Sequence, residues 1–219
     1  MVELIRALRP ETVRTNLALV DERLRAAGRD PAEVQILAAV KYLQATDLTA
    51  LAAAGLTLVG ENRARELVTR AAAHPQFTWD FIGTLQSRKV AMLLPCVRYI
   101  HSVASDSALA QLARHGGPTT RVLIEVNIAS ERGKSGIAPA ELPAFLERCP
   151  VTVVGLMTMP PATEDPERSR RHFAALRELA ADHGLRELSM GTSQDYAVAA
   201  AEGATIIRLG AALFRDSTA

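Results

Sequence analysis

Short apolar segments recur along the chain, and each of them ends in polar residues and is followed by an amphipathic segment. An apolar run this short is typical of a buried strand rather than a helix. The pattern predicts eight strands, of which the seventh is only weakly apolar. They are residues 35–40, 56–59, 78–82, 97–100, 121–126, 151–156, 186–188 and 204–207.

The segments between the predicted strands carry the start and stop signals of helices. Serine, threonine or aspartate precedes the first periodic residue, and glycine follows the last one. One helix also has a proline at its first position, where no backbone hydrogen bond is lost. The three clearest helices run from Thr46-Asp47 to Gly55, from Ser105-Asp106 to Gly116 and from Asp165-Pro166-Glu167 to Gly184.

Strands that alternate with helices predict a parallel sheet, because parallel neighbours need crossover connections. Eight such units without a long linker fit a (β/α)8 barrel, and we expect one domain over residues 1–219. Residues 1–34 would supply an extra helix, roughly residues 2–27, and a lead-in, and residues 35–219 would form the barrel. A doubly wound open sheet is the alternative, but the number of units favours the barrel.

The first predicted strand ends at Lys41, which puts an amine where the sheet stops and a ligand pocket can begin. Apolar neighbours at such an edge disfavour the charged ammonium, and a neutral lysine amine can attack a carbonyl. The other interpretation is a lysine that only extends past the strand end into solvent. Position alone favours this second interpretation, so the other strand ends must decide.

The other predicted strands also end in residues that can bind or react. In α/β barrels the chemistry gathers at the C-terminal ends of the strands, and phosphate is often held after strands 7 and 8. Turn formation alone does not account for such a concentration of functional side chains. They are Lys41, Glu61, Asn62, His101, Asn127, Met157, Ser189 and Arg208.

The last two strand ends have the composition of a phosphate site. Residues 189–195 offer a glycine, two hydroxyl-bearing side chains and the start of a helix, and Gly210 opens another helix. Backbone N–H groups at a helix start bind a phosphate dianion well, helped by the helix dipole. An ordinary helix cap at Ser193, with Gly191 in the turn, explains the first segment equally well.

Arg208 is the one charged residue in the apolar stretch from Ala204 to Phe214. A guanidinium stays protonated and can only donate hydrogen bonds, so facing a pyridine nitrogen it would keep that nitrogen unprotonated and the ring a poor electron sink. A salt bridge to Glu61 or Glu125 is the alternative. Taken together, an amine, a phosphate cradle and an arginine on one rim suggest a phosphorylated aldehyde held as a Schiff base.

Composition and charge exclude several classes of protein. The hydrophobic fraction of 48%, the charged fraction of 22% and the net charge of +1 are those of an ordinary globular protein, and no basic stripe points to nucleic acid. The N-terminus lacks the apolar core of a signal peptide, and no apolar run is long enough to cross a membrane. Cys96 and Cys149 support neither a zinc site nor a disulfide framework. We expect a cytoplasmic protein without a metal.

The ordered set of motifs resembles the pyridoxal-phosphate homeostasis family, single-domain relatives of the N-terminal barrel of alanine racemase. The resemblance runs from about residue 36 to 214, and no single motif would be specific alone. The matching segments are Ala39-Val40-Lys41-Tyr42, Gly60-Glu61-Asn62, the run from Phe81 to Lys89, Ile100-His101-Ser102-Val103, Val126-Asn127-Ile128, Lys134-Ser135-Gly136, the run from Gly155 to Pro160, Leu188-Ser189-Met190-Gly191 and Arg208-Leu209-Gly210.

The resemblance implies pyridoxal 5′-phosphate (PLP) as the cofactor, and it implies a role for each matching residue. Lys41 would form the Schiff base and Arg208 would face the pyridine nitrogen. The phosphate would contact Ser193, Gly210 and Ala211, and the pocket would be lined by Asn62, Met157 and Ser189.

Two departures from the family pattern affect these expectations. Thr192 and Gln194 stand where a methionine and a glycine are typical, so the phosphate cradle can differ in detail. Val40 stands where many relatives have a serine or threonine, which removes a hydroxyl but leaves the amine.

The resemblance favours a protein that holds, buffers or hands over PLP without strong turnover, and so contributes to vitamin B6 homeostasis. PLP-dependent apoenzymes would be the recipients, and we expect a monomer. An amino-acid racemase is the alternative, but it needs a second base opposite Lys41, which in racemases is a tyrosine on a further domain that we expect this chain to lack. A Schiff-base aldolase acting on a sugar phosphate is a weaker alternative.

Three other signals have simpler explanations. Gly133-Lys134-Ser135 resembles the end of a P-loop but lacks its first glycine, so residues 128–138 fit a mobile loop, such as a lid, better. His101 could be an acid or base, but a histidine in a hydrogen-bond network is the better explanation. Met157 and Met159 are expected to pack in the core, with Met157 also a candidate for contact with the cofactor ring.

Overall fold

The computed structural model of the protein describes residues 8–215. Eight parallel strands close into a barrel in which each strand pairs with the next in chain order and the eighth pairs with the first. The predicted (β/α)8 barrel is confirmed, and the open sheet is wrong. The strands are β1 (Gln35–Ala39), β2 (Leu58–Glu61), β3 (Thr78–Phe81), β4 (Tyr99–Val103), β5 (Arg121–Glu125), β6 (Thr152–Met157), β7 (Glu187–Thr192) and β8 (Ile206–Leu209).

Helices form the outer layer, and one of them precedes the barrel. This first helix, α1, packs against the helices that flank the seam between β8 and β1. The side-chain amide of Asn16 in α1 donates to the carbonyl oxygens of Leu213 and Arg215, each at 2.9 Å. The helices are α1 (Pro10–Ala26), α2 (Leu48–Ala53), α3 (Ala64–Ala73), α4 (Val90–Leu93), α5 (Asp106–His115), α6 (Leu142–Arg148), α7 (Arg170–Asp182), α8 (Tyr196–Ala201) and α9 (Ala211–Phe214).

The start of the first helix differs from the prediction. We predicted a helix from roughly residue 2, whereas Leu8 and Arg9 are not helical and α1 begins at Pro10. Proline disfavours helical geometry in the residue before it but suits the first helical position. Arg9 accordingly has an extended backbone with φ of −104° and ψ of 138°. Residues 2–7 of the predicted helix lie outside the described residues.

All eight predicted strands are present, but several extend beyond the apolar runs that predicted them. The prediction ended the seventh strand at residue 188 and the eighth at residue 207, whereas β7 continues to Thr192 and β8 to Leu209. Polar residues therefore belong to the strands themselves and not to the loops after them. Ser189 and Arg208 are buried in β7 and β8.

The barrel interior contains a layer of buried polar side chains above an apolar core. Those of β3 and β4 meet those of β7 and β8 across the barrel, so the two pairs of strands can contact each other only through its inside. A layer of this kind is stable only when each polar group has a hydrogen-bond partner. Its members are Asp80, His101, Ser189 and Arg208. Within residues 8–215, none of the helices combines the length and the apolar character needed to cross a bilayer.

Candidate functional site

The structure brings the predicted site residues to the C-terminal end of the barrel at two depths. The upper residues end or follow strands: Lys41 after β1, Asn62 after β2, Met157 at the end of β6, Ser193 after β7, and Gly210 and Ala211 after β8. Ser189 and Arg208 lie lower, inside β7 and β8. Because β8 pairs with β1, the Gly210 end lies beside the Lys41 end; a Cβ atom on Gly210 would be 3.6 Å from the carbonyl oxygen of Ala39.

Lys41 lies in a tight turn directly above β1. The turn is closed by a hydrogen bond from the backbone N–H of Leu43 to the carbonyl oxygen of Val40, at 3.0 Å. The Nζ atom of Lys41 is 4.7 Å from the centre of the Tyr42 ring, and that ring is 58% exposed. Among residues 8–215, no carboxylate lies within 4.0 Å of this amine. The amine is therefore available at the mouth of the barrel.

Arg208 is buried and has no carboxylate partner among residues 8–215, so the predicted alternative of a salt bridge to Glu61 or Glu125 is wrong. Its guanidinium donates to the Ser189 hydroxyl at 2.5 Å and to the carbonyl oxygen of Thr158 at 2.9 Å. It also contacts the Met159 sulfur at 2.8 Å. Burial lowers the pKa of Arg208 to about 10, although the charges of Asp195 and Glu125 oppose this shift. The guanidinium therefore remains protonated at neutral pH, and no carboxylate of the described part of the chain pairs with it.

A chain of hydrogen bonds runs from Arg208 through the barrel interior to its opposite end. Ser189 contacts Nδ1 of His101 at 2.8 Å, and Nε2 of His101 contacts Asp80 at 3.0 Å. The Asp80 carboxylate accepts two hydrogen bonds from Arg98, at 3.0 and 2.5 Å. We call the residues Arg208, Ser189, His101, Asp80 and Arg98 the interior relay. The prediction that His101 belongs to a hydrogen-bond network is confirmed.

The direction of every hydrogen bond in the interior relay follows from the charges of its members, because a guanidinium can only donate and an ionised carboxylate can only accept. Burial alone would raise the pKa of Asp80, but hydrogen bonds from His101 and Arg98 outweigh it and hold this pKa below its usual value. Burial lowers the pKa of His101 despite the nearby carboxylate, so the imidazole is neutral. Its Nε2–H must then donate to Asp80, and its Nδ1 accepts from Ser189. The Ser189 oxygen is left as an acceptor for Arg208.

This arrangement predicts a pH dependence of stability that His101 controls. Because the pKa of His101 is lower in the folded protein than its ordinary value of 6.5, the unfolded chain takes up a proton first as the pH falls. The contribution of the neutral His101 to the unfolding free energy is fully present above the ordinary pKa of histidine and is lost as the pH falls below it. We expect the unfolding free energy to fall by up to about 1.4 kcal/mol per pH unit below about pH 6.5 from this residue.

Urea unfolding between about pH 7.5 and pH 5 would measure this dependence. The His101→Gln variant should show a shallower loss than the wild type over that range. The His115→Gln variant, which changes an exposed histidine of α5, should follow the wild-type curve. Equal slopes in the wild type and His101→Gln would contradict the neutral, buried imidazole.

The segment after β7 forms a small cradle with the start of α9. The Ser193 hydroxyl accepts hydrogen bonds from the backbone N–H groups of Gly210 and Ala212, at 3.2 and 3.1 Å. The alternative that Ser193 caps the helix following it is not what we observe, because α8 begins only at Tyr196 with Asp195 before it. The two N–H groups of Gly210 and Ala212 thus point towards one oxygen atom, and an anionic oxygen bound nearby could also accept hydrogen bonds from them.

The end of β7, where the chain turns towards α8, needs the glycine at position 191. Gly191 has φ of +88°, and a Cβ atom there would lie 2.6 Å from the Cβ atom of Ala199. Asp195 then closes the loop by accepting hydrogen bonds from the backbone N–H and the hydroxyl of Thr192, at 2.8 and 3.2 Å. Thr192, which departs from the family pattern, is therefore hydrogen-bonded to Asp195.

Asn62 presents an unpartnered polar atom at the same rim. Its side-chain oxygen is buried and has no hydrogen-bond partner among the described residues. The close approach of the β3 end to Asn62 requires glycine, since a Cβ atom on Gly83 would lie 2.0 Å from the Asn62 carbonyl oxygen. The Glu61 carboxylate accepts the backbone N–H groups of Asn62 and Arg63, at 2.7 and 3.1 Å. Asn62 is thus held in place with a free acceptor.

The loop after β5 is tied to the barrel by a buried carboxyl group. Ser135 donates to Glu125 at 2.5 Å, and the Asn127 side chain exchanges hydrogen bonds with the backbone of Glu131 at 2.8 and 3.1 Å. Burial raises the pKa of Glu125, opposed by the Ser135 hydrogen bond and by Arg208. Whether residues 128–138 act as a mobile lid stays a prediction.

These residues fit PLP. A buried guanidinium without a counter-charge can donate to a ring nitrogen, N–H donors beside a hydroxyl suit a phosphate, and the free Asn62 oxygen can accept from a ring substituent. Lys41 supplies an amine on the same rim, beside the Gly210 end of β8. The side chains and N–H groups at this rim therefore match the ring nitrogen, the phosphate and the aldehyde of PLP.

Some contributors to the site have no clear signal in the sequence. Asp80 lies in the middle of an apolar run and not at its end, and Thr158 binds Arg208 through its backbone carbonyl, which its residue type does not indicate. The expectation of core packing is correct for Met157 but wrong for Met159, which is 49% exposed beside Arg208. A charged residue inside an apolar run was the one signal that could have identified Asp80.

Comparison with known proteins places the chain in a family. A family model of the N-terminal domain of alanine racemase matches residues 9–218. A pyridoxal phosphate homeostasis protein from Pseudomonas aeruginosa is 38% identical over 218 residues, which cover 93% of this chain and 95% of that protein. Sequence similarity therefore extends over almost the entire length of both proteins.

Solved structures give the same result. An unknown protein from Bifidobacterium adolescentis matches with a TM-score of 0.83 and 31% identity, covering 96% of this chain and 99% of that chain. PipY of Synechococcus elongatus, solved with PLP bound, matches with a TM-score of 0.79 and 32% identity, covering 93% of this chain and 100% of that chain. The chain therefore belongs to the pyridoxal phosphate homeostasis protein family, built on the fold of the alanine racemase N-terminal domain.

Proposed function

We propose that this protein binds PLP at the C-terminal rim of its barrel and holds it for intracellular PLP homeostasis, without strong catalytic turnover. The names of its relatives and the PLP bound to PipY support this function. PLP supplies an aldehyde that condenses with a primary amine, and Lys41 is the amine that would hold it as a Schiff base. The single observation that carries the proposal is the buried Arg208, whose guanidinium has no carboxylate partner within the described residues.

Each of the other site residues has a proposed part in holding the cofactor. Arg208 would donate to the pyridine nitrogen and keep it unprotonated, which leaves the ring a weak electron sink and favours holding over turnover. Ser193, Gly210 and Ala211 would hold the phosphate. The pocket wall would consist of Asn62, Met157 and Ser189.

The organisation of the chain belongs to the same proposal. We propose one PLP-binding domain over residues 1–219, with residues 1–34 as the helix and lead-in and residues 35–219 as the barrel. We also propose a monomer that works in the cytoplasm and delivers PLP to PLP-dependent apoenzymes. The free thiols of Cys96 and Cys149 are in keeping with a reducing compartment.

Replacing Lys41 by alanine tests the proposed function. The purified wild type, incubated with PLP, should develop the visible absorption of a Schiff base, and the Lys41→Ala variant should not. The chain has three lysines, Lys41, Lys89 and Lys134, so borohydride reduction followed by peptide mapping can assign the modified residue. Lys89→Ala is the matched control and should keep the absorption.

Other outcomes favour the alternative functions. A wild type that cannot be loaded with PLP would overturn the proposal and favour a Schiff-base aldolase. A loaded protein that racemises alanine at ordinary enzymatic rates, on the order of 1–10³ per second, would overturn the holding function and favour a racemase.

A further inference from the structure

Arginine side chains from α3 and from the residue just before it hold the backbone of the turn that contains Lys41. Arg70 donates to the carbonyl oxygen of Val40 at 2.9 Å and to that of Leu43 at 2.7 Å. Arg63 donates to the carbonyl oxygen of Lys41 itself, at 2.8 Å. The carbonyl groups before, at and after the lysine are therefore all bound by the next β/α unit along the chain.

Carboxylates hold the two arginines in turn. Arg70 lies 3.1 Å from the fully buried Glu61 and 3.8 Å from Glu66, and Arg63 lies 2.5 Å from the other oxygen of Glu66. Glu61 also accepts the backbone N–H of Asn62, so one carboxylate fixes both Asn62 and the guanidinium that holds the lysine turn. This accounts for the Glu61 of the Gly60-Glu61-Asn62 motif, which does not contact Arg208.

The geometry suits an arginine and not a lysine at position 70. A guanidinium is planar and presents its donors as a rigid fork, so one side chain can bind two carbonyl oxygens and a carboxylate at once. A lysine ammonium is a single point on a flexible stem and cannot reproduce this spacing. Arg70 is mostly buried, with a side-chain exposure of 15%, so water does not readily replace its hydrogen bonds.

We propose that Arg70 is a positioning residue for Lys41: it fixes the turn so that the amine meets the aldehyde of PLP in a reactive orientation. This inference rests on the proposed function. Arg70 does not touch the reacting atoms, and it acts only through the backbone of residues 40–43. Small displacements of a reacting group slow a reaction strongly even when binding is unchanged.

The test compares bond formation with non-covalent binding. In stopped-flow absorption with PLP, the Arg70→Lys variant should form the Schiff base at Lys41 about tenfold or more slowly than the wild type. Non-covalent PLP affinity should be the same in Lys41→Ala and in the double variant Lys41→Ala/Arg70→Lys, measured by equilibrium dialysis. Arg65→Lys, on the exposed face of the same helix, is the matched control and should react at the wild-type rate.

Each outcome decides the inference. An unchanged rate of bond formation in Arg70→Lys would overturn it. A loss of non-covalent PLP affinity in Lys41→Ala/Arg70→Lys, relative to Lys41→Ala, that is as large as the loss of rate would also overturn it, because it would indicate a general structural role. If Arg70→Lys does not fold, as judged by circular dichroism, Arg70→Gln replaces it, and a wild-type rate in that variant overturns the inference. A wild type that forms no bond at Lys41 overturns the proposed function itself and the inference with it.

Discussion

The Asp80→Ala variant should lose about 3–5 kcal/mol of unfolding free energy, the range for removing one partner of a buried ion pair. Asp80 is fully buried and accepts hydrogen bonds from Arg98, His101 and the backbone N–H of Tyr99. Alanine removes all of these acceptors at once and leaves the His101 Nε2–H and the Tyr99 N–H without partners inside the barrel. Unfolding in urea at neutral pH measures the loss.

Two further variants make this prediction specific. Asp80→Asn keeps an acceptor oxygen but no charge, so its loss should be smaller than that of Asp80→Ala. Asp106→Ala removes an exposed aspartate that pairs with Arg148 at 2.8 Å, where the two side chains are 73% and 54% exposed. That change should cost less than about 1 kcal/mol. An equally small loss for Asp80→Ala would contradict the interior relay.

The Arg208→Met variant should bind PLP about ten- to a hundredfold more weakly than the wild type, because it lacks a charged donor whose hydrogen bond is worth roughly 1.5–3 kcal/mol. The apo protein should remain folded, since replacing a buried charge by an apolar side chain of similar length relieves its desolvation. Spectroscopic titration with PLP measures the affinity, and thermal unfolding without PLP checks the fold.

A distant arginine provides the control for this measurement. Arg170 in α7 pairs with Glu167 and Glu202 on the outside of the barrel, at 2.7 and 2.8 Å. Arg170→Met should therefore bind PLP as tightly as the wild type. If Arg208→Met also binds PLP with unchanged affinity, the guanidinium does not contact the ligand, and its proposed role is wrong.

The fold could be predicted from the sequence because burial follows simple periodicity. Each parallel strand is buried on both faces and shows as an apolar run, and Ser105 and Gly116 bound α5 as predicted. The predicted ends of strands were less accurate where polar side chains point into the barrel. Periodicity assigns Ser189 and Arg208 to loops, since it cannot tell a polar residue inside a barrel from one in a turn.

The sequence predicted the side chains proposed to contact the ligand, but not the residues that hold those side chains in place. Lys41 and Arg208 stand out because a single charged residue follows or interrupts an apolar run, and Ser193 stands out because it lies among a glycine and hydroxyl groups at a helix start. The residues that hold them do not, because Asp80, Thr158 and Arg70 act through contacts between strands or helices far apart in the sequence. Such contacts depend on how the β/α units pack against one another, which no local pattern encodes.

The pairing of β8 with β1 also has a consequence for the order of assembly. Lys41 follows the first strand, whereas Arg208 and Gly210 belong to the last, and the pairing of these two strands is the final closure of the barrel in chain order. A chain still emerging from the ribosome therefore has the lysine but neither the guanidinium nor the Gly210 N–H beside it. We expect cofactor loading to follow synthesis of the whole barrel and not to accompany it.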